Sequence, residues 1–158
     1  KAASSELSLV KTTAGAGVVT DDIPWEAQRF KGLIGKLRKD CQRARGASAK
    51  SDPAVYDAFI AKICRDLRKA VERAVEEVLL SEVMGRYQRV VHLANITKFA
   101  VIGQKDIEVL DRLATKYSKP EHSQTPETRS PPPGIDEVER DVERLAVWAN
   151  DFRKKAGN

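Results

Sequence analysis

Residues 53–79 read PAVYDAFIAKICRDLRKAVERAVEEVL, and their periodicity decides the fold. Tyr56, Phe59, Ile60, Ile63, Cys64, Leu67, Val71, Ala74, Val75, Val78 and Leu79 recur mostly at spacings of three and four, which lays one apolar stripe along an α-helix. Ser51-Asp52-Pro53 stands ahead of the run. It supplies a side-chain acceptor for first-turn amides and a proline whose fixed φ suits the first helical position. The reading is a helix to about Ser81, long enough to be the spine of a domain.

Working outward, Asp21-Asp22-Ile23-Pro24-Trp25 repeats the start signal, and a helix to about Arg45 follows. Phe30, Leu33, Ile34, Leu37 and Cys41 form its apolar stripe, and Gly46 is placed to stop it. Residues 6–20 put two β-prone runs on either side of a glycine-containing turn, which reads as a hairpin. Downstream, Gly85 permits a break, and Val90 to Ile96 is too short and mixed to assign. Asp106 to Tyr117 reads as a helix burying Ile107, Leu110 and Leu113. Residues 118–134, with Pro131-Pro132-Pro133-Gly134, lack apolar periodicity and read as an extended connector. A last helix begins near Asp136, carries Val138, Val142, Leu145, Ala149 and Phe152 inward, and ends in Arg153, Lys154 and Lys155. That charge order suits the helix dipole. The expected fold is mostly α: one domain over 1–158, with about four helices and a short N-terminal β-hairpin over 6–20. The helical core spans 24–117, the connector 118–134 and the final helix 135–155.

The chain has 158 residues and a formal charge of +5. The charge excess is compatible with a polyanionic partner such as tRNA or DNA. Cys41 and Cys64 fall on helices without CxxC spacing, so neither a disulfide framework nor a zinc site is expected, and a reducing cytoplasm fits. No apolar run nears the roughly 18 residues that span a bilayer, and no leader pattern is present. Lys1 opens on what reads as mid-protein sequence, which suggests a piece of a larger chain.

No GxxxxGK[ST], GxGxxG, HExxH or GxSxG pattern occurs, so no cofactor or metal is expected within these residues. The residues left for chemistry are few. Arg68 and Glu72 lie four apart, bordering the buried stripe of the long helix, and read either as an i,i+4 ion pair or as half of a catalytic set. With His122, at the edge of the proline-rich stretch, they would make a metal-free set for RNA cleavage: His moves the 2′-hydroxyl proton, Glu assists, and Arg steadies charge on the phosphorane. A competing set is Arg86 and His92, in Arg86-Tyr87-Gln88-Arg89-Val90-Val91-His92, which matches the R-x4-6-H pattern of helical HEPN ribonucleases, although Tyr87 replaces the usual polar residue. Arg29, Lys31, Lys36, Arg38, Lys39, Arg43 and Arg45 stand against the single acid Asp40. They read as a solvated helix face or as a phosphate-contacting surface. Trp25 and Trp148 read as core anchors.

Several phrases together resemble the C-terminal region of bacterial AAA-family, ABC-type ATPases related to SMC and recombination proteins, a group that includes the anticodon nucleases of phage defence. They are Gly17-Val18-Val19 leading into Asp22-Ile23-Pro24-Trp25, Lys36-Leu37, the run Leu67 to Leu80, Lys116-Tyr117-Ser118 with His122, and Asp136 to Leu145 with Trp148 and Arg153-Lys154-Lys155. The resemblance implies an ATPase head as partner and a helical effector. In the anticodon nucleases an Arg-x-x-x-Glu pair precedes a His, the order that Arg68, Glu72 and His122 keep here. The expected function is thus a ribonuclease effector acting on tRNA or structured RNA. The alternatives are a non-catalytic helical module that docks on nucleic acid or protein, and a helical element that joins a second copy.

Overall fold

The computed structural model describes the backbone of residues 8–12 and 15–20, and residues 28–47, 52–80, 83, 93–122 and 132–157, of which 94, 95 and 119–122 are described by backbone alone. Most described residues are helical. The four α-helices are α1 (Phe30–Ala47), α2 (Pro53–Ala74), α3 (Gln104–His122) and α4 (Ile135–Lys155). A π-helical turn, Val75–Leu79, continues α2, and a 3-10 segment, Leu93–Val101, precedes α3. The backbone of Ser8–Thr12 runs antiparallel to Gly15–Thr20, with Leu9 opposite Val19. The described core lies in the helical body.

Local chemistry explains the helix ends. Asp52 caps α2, its carboxylate accepting the Ala54 N–H at 2.7 Å with Pro53 in the first turn. The start expected for α1 at Pro24 is not where the helix begins. Gln28 and Arg29 are not helical, α1 starts at Phe30, and residues 21–27, Trp25 among them, lie outside the described residues. The reason is a long-range cap: the Phe30 N–H donates to Glu77 Oε2 at 2.9 Å, so a carboxylate from the π turn meets the positive end of α1. Arg153 of α4 holds the other oxygen of Glu77 at 3.5 Å. At the start of α3, Asp106 reaches back to the Gly103 N–H at 2.9 Å, half of a capping box. The far end of α3 also differs from expectation: the helix continues past Tyr117 to His122, five residues into the expected connector. Pro120 falls in the last turn, where it withholds a hydrogen bond from the preceding turn, and the helix ends two residues later.

The apolar stripes pack into one core. Leu33, Leu37, Ile60, Ile63, Leu67, Leu113, Val138, Val142, Leu145 and Phe152 are essentially inaccessible to solvent. Ile107, expected inside, is about half exposed at 49%; the inward face of α3 runs instead through Asp106, Leu110, Leu113 and Tyr117. That stripe keeps the spacing of three and four, and Ile107 sits one step off it.

Polar contacts fix how the helices run. Asp40 of α1 meets Lys62 of α2 at 3.5 Å, and Phe30 meets Glu77, so α1 and α2 are antiparallel. Arg38 pairs with Glu143 and Arg45 with Asp136, so α1 and α4 are antiparallel as well. Tyr117 bonds Asp141 and Trp148 bonds Asp106, which makes α3 and α4 antiparallel. The result is an up-down-up-down four-helix bundle with α2 and α4 on one diagonal.

Two buried carboxylates join α3 to α4. Asp141 accepts from the Tyr117 hydroxyl at 2.9 Å, from Arg144 Nη1 at 2.7 Å and from Lys116 Nζ. Burial, and then the Asp141 charge, pushes the Tyr117 hydroxyl above its ordinary value, so it stays protonated and donates. Asp106 accepts from Trp148 Nε1 at 3.2 Å and Lys155 Nζ at 2.9 Å. Its burial raises the carboxyl, but the Gly103 N–H, Lys155 and Trp148 outweigh that and hold it below its ordinary range.

Asp141→Ala strands a tyrosine hydroxyl and two cations, and is expected to cost about 3 kcal/mol, a fall in Tm of roughly 10 °C read by circular dichroism. A loss under about 1 kcal/mol would contradict the clamp. A depressed native carboxyl stabilises the fold fully above its unfolded value of about 4 and loses that contribution as pH falls through the lower native value. Melts between pH about 6 and 2 should therefore show a steeper acid loss for the parent than for Asp106→Asn, and parallel curves would contradict the assignment.

Candidate nucleic-acid interface

Arg68 and Glu72 sit on α2 as an i,i+4 pair, Nε to Oε1 3.5 Å, with Glu72 half exposed. His122 closes α3 and is described by its backbone alone, so of the three residues the described contacts join only Arg68 and Glu72. Arg86 and His92 lie outside the described residues.

The thiols are no substitute nucleophiles. Burial, the largest cause for each, pushes Cys41 up to about 11 and Cys64 up to about 12. Both stay protonated at neutral pH and serve as core.

The seven cations read from the sequence divide by structure. Arg38 makes a bidentate pair with Glu143, Nε to Oε1 and Nη2 to Oε2 at 2.6 Å each. That hydrogen bond holds the Glu143 carboxyl below its ordinary range. Arg45 binds Asp136 at 2.6 Å and also Glu139. These two arginines lie on the side of α1 that faces α4, and carboxylates already occupy their forks. Arg29, Lys31, Lys36, Lys39 and Arg43 are exposed. Asp40, the acid among them, is buried at the α1–α2 contact, where Lys62 and Arg43 approach it.

Sequence reading missed the contribution of α2. Lys62, Arg65 and Lys69 are exposed along its outer side at spacings of three and four, and the helix was read only for its apolar stripe. Lys62 also binds Asp66 at 2.8 Å. A cleft of about 600 Å³ lies elsewhere, on the α3–α4 side, lined by Val109, Val147, Trp148 and Phe152 with Arg140 and Arg144 at its edge. It holds none of the residues singled out for catalysis. Among the described residues no cluster of three or more His, Cys, Asp or Glu could hold a metal ion, and no helix is long and apolar enough to cross a membrane.

No family model, curated protein or solved structure shows significant similarity to this chain.

The division of the cations is testable. Arg38→Ala and Arg45→Ala remove half-exposed ion pairs and should each cost about 0.2–1 kcal/mol, a loss that shrinks in high salt. Urea melts at low and high ionic strength would check this, and salt-independent losses above about 2 kcal/mol would contradict it.

Proposed function

We propose that this chain is a non-catalytic helical module that contacts nucleic acid, carried by a larger ATPase of the SMC-like kind. The observation that carries the reading is charge segregation. Six bases and one acid lie on α1, and five bases and three acids on α2, to which the π turn that continues it adds Glu76 and Glu77. In contrast, α3 has four of each, and α4 has five bases and six acids. The α1–α2 pair is net basic, with the excess on α1, and the α3–α4 pair is not. Even after α4 has claimed Arg38 and Arg45, exposed cations remain on both helices of the basic pair. An exposed, rigid array of this kind attracts phosphate and gains from the counterions it displaces.

The resemblance to ATPase C-terminal regions supports the parent assembly in this proposal, and the head would supply the nucleotide chemistry. The ribonuclease reading needs Arg68, Glu72 and His122 at one phosphate, and the described contacts join only the first two. An i,i+4 ion pair on a helix flank accounts for Arg68 and Glu72 without catalysis.

Binding of labelled tRNA and DNA, measured by anisotropy between about 50 and 200 mM salt, should weaken steeply and log-linearly. The Lys36→Glu, Lys39→Glu double variant should lose on the order of tenfold or more in affinity at the lower salt while keeping the parent's helicity. Salt-insensitive binding would contradict the proposal. RNA cleavage in EDTA that Glu72→Ala abolishes would restore the nuclease reading.

A further inference from the structure

The form of the basic surface narrows its ligand. Lys36, Lys39 and Arg43 recur along the outer side of α1, and Lys62 and Lys69 along the adjoining side of α2; all five are exposed, with Asp66 binding Lys62 and Asp40 approaching both Lys62 and Arg43. The contacts Phe30 to Glu77 and Asp40 to Lys62 fix the antiparallel register. That register brings Lys36 close to the level of Lys69, and Arg43 close to the level of Lys62. The cations therefore stand in two rows, one per helix, and not in one line. Packed helices lie about 8–10 Å apart, and side chains splaying outward widen the gap between their charged ends. A row of this length spans about two turns, roughly 10 Å.

Two rows at this separation match phosphates that face each other across a groove, for which the B-form widths are about 6 Å and 12 Å. A single strand offers one line of phosphates and would engage one row at a time. Proteins that grip single strands add aromatic platforms on which bases stack. The aromatic residues of α1 and α2 do not serve that purpose: Phe30 is 3% exposed, and Tyr56 and Phe59 pack against the core. The rows are mostly lysines, which meet phosphate as point charges, and none of the described aromatic rings of the two helices is fully exposed, so this face suits backbone contact.

Resting on the nucleic-acid reading above, we infer that the ligand of the α1–α2 face is double-stranded nucleic acid, held through phosphates of both strands without regard to sequence. The test measures anisotropy of the 158-residue chain with two unrelated duplexes of about 20 base pairs and with their separated single strands, in DNA and RNA forms. The two duplex sequences should bind within about twofold of each other, and single strands at least about fivefold more weakly. Lys36→Glu and Lys69→Glu, one from each row, should each weaken duplex binding severalfold, and helicity by circular dichroism confirms that the variants fold. Single strands that bind as tightly as duplex, or a strong preference between the two duplex sequences, would overturn the inference while leaving the nucleic-acid reading intact. If no nucleic acid binds at all, the proposed function itself falls.

Discussion

The Asp141 carboxylate, buried in α4 and shared among Tyr117, Arg144 and Lys116, sets how α3 lies on α4. A buried charge is tolerated only where donors surround it, so one alignment of the two helices is favoured over any slipped by a turn. Asp106 repeats the device near the other end of the same pair, with Trp148 and Lys155 as donors. Glu77 then ties the start of α1 to the end of α4. The apolar core supplies the drive to collapse, and these three carboxylates choose the register.

That register has functional consequences. With α4 aligned antiparallel to α1, Glu143, Asp136 and Glu139 fall opposite Arg38 and Arg45 and neutralise one side of the basic helix. The other side is left beside α2, whose own outer lysines extend it. One arrangement thus neutralises one side of the basic helix and leaves the other exposed.

Much of the helical body was legible because apolar spacing is a strong signal. The five residues of α4 that the periodicity named are all buried, and Asp52-Pro53 marked the start of α2. Three features were hidden for physical reasons. The start of α1 depends on Glu77, distant in sequence, and no local pattern reports such a cap. Ile107 has the composition of a core residue, but Asp106 takes the inward position because Trp148 and Lys155 are there to receive it. The partners of Arg38 and Arg45 come from α4, so a count of bases along α1 overstated the charge open to a ligand. Asp40 and Asp141 could have been noticed as acids falling on apolar stripes, which is where buried, bonded carboxylates sit. For the proposed site, the α1 cations were legible as a class, while the second row on α2 required the antiparallel register.

The account turns on which face meets the polyanion, and the most direct measurement is an amide-resolved NMR titration of the chain with a short duplex. Shifts confined to α1 and the adjoining side of α2, around Lys36, Lys39, Arg43 and Lys69, and reversed by added salt, are the predicted result. Shifts centred on the α3–α4 cleft near Val147 and Trp148, or none on either helix pair, would contradict it.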